Sequence, residues 1–369
     1  MIRRPAPMLR ALLPALLVLL ALTGCEQIVG TPKAVGEIPE ILVVADSSTW
    51  AGPVGEAIRA ELAQPIVTLP NNQGAFKLTH RVLTPKTYES IQRARHVLIA
   101  APIDEASRVG EFMRDRIDAG SQEAIRAGRA VGINLRPDLW SLNQLVVIAT
   151  AADDQALTTA ILRRGAELRA AYDELAYAAT EREMFDDGRQ LFEEDSLAGR
   201  YGWSIAIQHD YVLAHDSLLT VDGRTGQFVR YRRILSDTWR DFFVFVQEGV
   251  SEVPPQAELD ALTDDLLEVF ARGVRDSSFV QTDATRPIRR DTLTIAGHPA
   301  AEQRGLWYMT NDIMGGSYIR QAFVDPATDR LFVYYGMVFA PNRRYDKREF
   351  IRQMEVIGRS IQPAPAPSP

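Results

Sequence analysis

One cysteine in 369 residues excludes a disulfide within the chain, and at position 25 that thiol has no partner for a redox pair. Histidine is almost as scarce. His80, His96, His209, His215 and His298 form no H-E-x-x-H or similarly spaced ligand set, so no metal is expected. The G-x-S-x-G elbow, the P-loop and the dinucleotide fingerprint are all missing. Gly52-Pro-Val-Gly55 stands between a strand and a helix, where phosphates bind, but it lacks a lysine, and Pro53 has no amide to offer. No cofactor and no catalytic residue are assigned. A net charge of -7 leaves no basic footprint for nucleic acid.

What the chain does have is a signal architecture at its start. Arg3, Arg4 and Arg10 precede an apolar run from Ala11 to Leu22, interrupted by Pro14 and far short of the ~20 residues that cross a bilayer. Leu22, Thr23 and Gly24 then lead into Cys25, the arrangement of a lipobox. Residues 1–24 are therefore expected to be a cleaved signal peptide. Cys25 would become the first mature residue and carry a diacylglycerol anchor with palmitate-type acyl chains, two or three of which hold firmly where one is marginal. Loss of the three arginines takes the net charge from -7 to -10, so attachment to the membrane should rest on lipid alone. Glutamate rather than aspartate at position 26 leans toward the outer membrane, facing the periplasm.

The 345 residues that remain exceed what one core usually organises, and two domains are expected. Residues 25–39, with Gly30, Pro32, Gly36 and Pro39, read as a lipidated tether, and residues 363–369 as a disordered Pro-rich tail. Over 40–180 apolar runs alternate with amphipathic stretches. Ile41–Ala45, His96–Ala100, Val131–Leu135 and Leu145–Thr150 predict strands; Val54, Ile58 and Leu62 mark a helix, as do a charged stretch over 109–127 and a long run after the N-cap Asp153. That is an α/β domain. An acidic connecting helix is expected over 181–200.

From 201 to 362 the pattern becomes four strands, a helix, four strands and a helix. Trp203, Ile205 and Ile207 mark the first strand, Asp222-Gly223 a turn, and Leu259, Leu262, Leu266 and Val269 the helix that follows Pro254 and Pro255. Asp346 and Glu349 propose a capping box for the last helix, with Phe350, Met354, Ile357 and Ile361 inward. This predicts an α+β domain: an antiparallel sheet with helices on one face, in Mog1/PsbP-like order.

Several short motifs resemble a family. Ile41-Leu-Val-Val-Ala-Asp-Ser-Ser-Thr-Trp50, Gly55-Glu-Ala-Ile-Arg59, Arg304-Gly-Leu-Trp307, Met314-Gly-Gly316 and Arg352-Gln-Met-Glu355 are together similar to a family of bacterial lipoproteins, domain of unknown function 4837, over about residues 38–362. Ser317 stands where that family often has proline. The resemblance implies an envelope lipoprotein and no catalytic residue.

Trp307, Asn311, Asp312, Met314, Gly315 and Gly316 form the most suggestive segment: aromatic borders, a carboxylate and an amide, and glycines that let backbone approach a ligand closely. His209 and His215, with Asp210 and Asp216, offer a weaker set that reads better as turn residues. The expectation is thus a lipid-anchored, non-catalytic binding or assembly protein. Its partners are the membrane, through Cys25, and an envelope protein. The rival is a hydrolase-like enzyme with its site in the interdomain cleft.

Overall fold

The computed structural model describes residues 30–275 and 277–364. Leu22, Thr23, Gly24 and Cys25 lie outside the described residues, as do residues 365–369.

The first domain runs β1 (Glu40–Val44), α1 (Ser47–Ala51), α2 (Pro53–Leu62), β2 (Lys77–Arg81), α3 (Pro85–Arg93), β3 (His96–Ala100), α4 (Arg108–Arg114), α5 (Ala119–Arg126), β4 (Gly132–Pro137), β5 (Leu145–Thr150) and α6 (Asp154–Met184). Its sheet has the order β2-β1-β3-β5-β4, parallel except for β4, which runs antiparallel at the edge. Uninterrupted apolar strands are what a sheet covered on both sides requires. Ile41, Val43, Leu98 and Val147 face α2 and α6, whereas Val44, Val97, Ile99 and Val146 face α3, α4 and α5. The α/β expectation holds, with two additions and one break. The β2–α3 segment went unread because its strand, Lys-Leu-Thr-His-Arg, is polar and exposed at the sheet edge. The helix expected over 109–127 is split into α4 and α5, because Asp118 starts a new turn by accepting from the Ser121 amide at 2.9 Å.

The chain before β1 is not free along its whole length. Leu142 N donates to Pro32 O and Ala34 N to Leu142 O, each at 2.8 Å, so the second part of the expected tether lies against the first domain.

In the second domain the order is α7 (Leu191–Tyr201), β6 (Trp203–Ser204), β7 (Val212–Val221), β8 (Arg224–Ile234), β9 (Trp239–Glu248), α8 (Gln256–Phe270), β10 (Val280–Thr282), β11 (Arg289–Ile295), β12 (His298–Met309), β13 (Gly315–Asp325), β14 (Arg330–Phe339), α9 (Lys347–Arg359) and β15 (Gln362–Pro363). An antiparallel sheet, β10-β12-β13-β14-β9-β8-β7 with β11 on β12, joins its two strand groups where β14 pairs with β9. Asp222 and Gly223, with φ of 47° and 72°, make the two-residue turn between β7 and β8.

Helices on one face is the expectation that fails. Phe243 and Phe245 pack toward α8, and Phe242, Val244 and Val246 toward the core that holds α9, so both faces are covered. The apolar density of the central strands already demanded this, since a one-sided sheet would put those phenylalanines in water. Trp203, Ile205 and Ile207 are buried as their alternation implied, yet they form no strand of the main sheet. Their backbone is taken by β15, by Ser360 Oγ and by Glu194 Oε1. The helix expected over 181–200 breaks between Met184 and Leu191. Val269 turns outward, and Leu267 takes its place in the core. Asp346 caps α9 through the Arg348 amide, at 3.2 Å, but Glu349 bonds Arg352 instead of closing a capping box.

The two domains are bolted together along α6 and α9. Asp173 meets Arg352 at 3.0 Å, and Thr180 donates to Glu349 at 3.3 Å. Gln73 donates to the Tyr345 carbonyl at 2.9 Å and accepts from the Lys347 amide at 3.0 Å.

Candidate functional site

The hairpin between β12 and β13 separates the six residues singled out in it. Trp307, 3% exposed, is in the core under α8, and Met314 packs against the same cluster. Asn311 and Asp312 point to the loop surface, where Asp312 accepts from the Ile313 amide at 2.7 Å and Asn311 donates to the Ser277 carbonyl at 3.4 Å. Positive φ, 59°, is supplied by Asn311, while Gly315 and Gly316 belong to extended β13. Gly316 is there for room: a Cβ would strike the Val338 carbonyl and come within 3.0 Å of Trp307 Nε1. That indole nitrogen has no hydrogen-bond partner among the described residues. Trp307 also borders a cavity of about 30 Å³ beside Arg230, Arg232 and Asp241, space for little more than water.

The histidines are dispersed. Buried His96 bonds the Glu40 carbonyl at 3.1 Å, and burial drops its pKa to about 3, so it stands neutral. His80 stacks on Trp50 at 5.2 Å. His215 contacts Ser217 Oγ at 2.7 Å, but its neighbour Asp216 is held by Arg200 and Tyr201, and Asp210 by Arg233. The His209–Asp216 residues are therefore not brought together as ligands, and among the described residues no three His, Cys, Asp or Glu side chains converge as a metal site.

Charged residues that sequence reasoning passed over do converge, as internal braces. Beneath α9, Arg304 meets Glu302 at 2.7 Å and Glu355 at 2.9 Å, and Glu355 also meets Arg359 at 2.6 Å. Burial alone would push the Glu355 carboxyl up, but Arg304 and Arg359 outweigh it and hold it below the usual range. On the opposite face Arg320 reaches Asp260 at 2.5 Å, Gln256 at 2.7 Å and Gln303 at 3.1 Å. The available signal was a polar pair, Arg320-Gln321, inside a largely apolar stretch of strand.

Between the domains lies a polar cleft of about 720 Å³, bordered by Lys77, Glu183, His209, Arg233, Arg344 and Glu349. Most of these charges already have partners: Lys77 pairs with Glu37 at 3.0 Å, Glu183 with Arg95 at 2.6 Å and Arg233 with Asp210 at 2.5 Å. Burial raises the Glu349 carboxyl against the pull of Arg352. His209, Arg344 and Asp187 line the cleft without an ion-pair partner among the described residues.

Residues 34–185 match a family model described as domain of unknown function 8532, and residues 190–360 match domain of unknown function 4837. The resemblance read over 38–362 is thereby divided, its first motifs falling in the 8532 segment and Arg304, Trp307, Gly316 and Glu355 in the 4837 segment. No curated protein matches the chain significantly. The second domain is thus similar, over residues 190–360, to the family domain of unknown function 4837.

Proposed function

We propose that this is a lipid-anchored protein of the cell envelope, held through Cys25, that binds a partner without catalysis. The observation that carries the non-catalytic part is the commitment of its acids. Glu302 and Asp241 answer arginines within the sheet, Glu355, Asp260 and Asp173 answer arginines across layers or domains, and among the described residues no histidine lies within hydrogen-bond distance of a carboxylate, His298 standing 3.8 Å from Asp325. A general base needs a carboxylate or imidazole free to reach a substrate proton. Among the described residues no helix is long and apolar enough to cross a membrane, which is compatible with attachment by lipid. The order of strands and helices, with α8 and α9 closing opposite faces, supports a Mog1/PsbP-like reading of the second domain. Attachment facing the periplasm from the outer membrane completes the proposal.

A hydrolase-like enzyme is the second reading, and His209 in the cleft favours it. The two are separated by a gentle detergent pull-down of the chain beside a Cys25→Ser control. A stoichiometric envelope partner that disappears in the control supports the binding reading. Membrane association unaffected by Cys25→Ser overturns the anchor.

A further inference from the structure

The first domain contains an apolar pocket that no step above uses. It has a volume of about 300 Å³ and opens at the edge strand β4. Phe112, Met113 and Ile117 from α4 and the turn after it form one wall; Leu139 and Trp140 form the other, with Ile148 on the floor. The space exists because of a glycine. Gly132 on β4 carries no side chain where a Cβ would come within 2.9 Å of Thr150 Cγ2 and 3.5 Å of Ile125 Cδ1. Asn134 and Arg136, the next residues on that face of the strand, do not fill it with apolar bulk.

Three polar features converge on this apolar space. Arg116 lies over the Phe112 ring at 3.7 Å and donates to the Phe112 carbonyl at 3.3 Å, leaving the rest of its guanidinium at the rim. Arg136 borders the pocket from β4 and is exposed. Thr150, 0% exposed, lines the same pocket, and its hydroxyl has no hydrogen-bond partner among the described residues. A buried hydroxyl left unpaired carries a cost that a bound acceptor removes. Size, apolar lining and a few convergent polar groups are the marks of a small-molecule site.

We infer that this pocket binds an anionic amphiphile with a single acyl chain, the chain lying between Phe112, Leu139 and Trp140 and the anionic head meeting Arg116 and Arg136. Apolar walls take the tail for the area removed from water, and two guanidinium groups favour a carboxylate or phosphate head over a neutral one. The pocket wall is also joined to the N-terminal segment, through the pairing of Leu142 with Pro32 and Ala34. Five residue steps, a reach of at most about 18 Å, join Cys25 to Gly30, so an acylated Cys25 would hold the start of this domain near a bilayer. The inference does not depend on that anchor.

Titration calorimetry of the full chain carrying Cys25→Ser, which excludes the protein's own acyl anchor as occupant, tests it with dodecanoate and with dodecanol. Saturable one-to-one binding of dodecanoate is expected, roughly tenfold weaker in the Arg116→Ala/Arg136→Ala variant and roughly tenfold weaker for dodecanol. Leu139→Glu, a change at an exposed position, is expected to abolish binding with the circular dichroism spectrum unchanged. Absence of saturable binding to the folded chain overturns the inference, and so does dodecanoate binding that Leu139→Glu leaves intact. Equal affinity for the alcohol overturns the anionic head.

Discussion

Arg304 on β12 and Glu355 on α9 meet at 2.9 Å, so two of the short motifs that carry the sequence resemblance supply the two halves of one ion pair. Glu302 and Arg359 extend it on either side. A part-buried network of this kind costs desolvation to form and costs more to break from one side. Arg304→Met is expected to destabilise the protein by about 3 kcal/mol, because it leaves buried Glu302 without a cation and Glu355 with Arg359 alone. Combining it with Glu355→Met should cost less than the two changes summed. Urea unfolding of the double-mutant cycle measures the coupling, and strict additivity would refute the pairing.

Gln73 reaches across the domain boundary to both the Tyr345 carbonyl and the Lys347 amide. Replacing it with alanine, together with Arg352→Met, removes the Gln73 and Asp173 ties to the second domain, leaves Thr180–Glu349 and Arg348–Gly74, and touches neither core. Calorimetry should then resolve two transitions where the parent shows one. Limited proteolysis between Met184 and Leu191 should accelerate in parallel.

His96 makes the protein acid-sensitive. Its pKa is depressed by burial to about 3 in the folded chain, against 6.5 for a free side chain. Between those values the unfolded chain binds the extra proton, so this contribution is present above pH 6.5 and is lost as pH falls toward 3. The slope is about 1.4 kcal/mol per pH unit within that window. Melting temperatures of the parent should fall between pH 7 and pH 4 more steeply than those of His96→Gln.

Gly316→Ala tests whether the glycine pair is structural. The added methyl meets the Val338 carbonyl and the Trp307 indole, neither of which is a flexible chain end. A loss of about 2 kcal/mol is expected in denaturant titration, with a change in Trp307 fluorescence. A neutral substitution would mean that β13 shifts freely there.

Much of the fold was legible because burial leaves a period in the residues. The continuous run at Ile41–Val44 announced a strand covered on both sides, and Met354, Ile357 and Ile361 announced the face of α9. Trp203, Ile205 and Ile207 show where that reading stops: alternation reported burial correctly, but whether a backbone pairs with a strand, a helix end or a side chain depends on residues far along the chain. The candidate hairpin was legible as a place and not as an arrangement. Trp307 turns inward and Asn311 outward because of what α8 and Ser277 offer them.

Composition and periodicity alone settled the α/β and antiparallel character of the two domains, since apolar spacing is a local consequence of which faces must leave water. The joining of the domains through Asp173–Arg352 and Gln73, the Arg304–Glu355 brace and the pocket left open by Gly132 were decided by the packed chain. Each of those needs partners more than a dozen residues apart to be brought within a few ångströms, and no local pattern encodes such a distance.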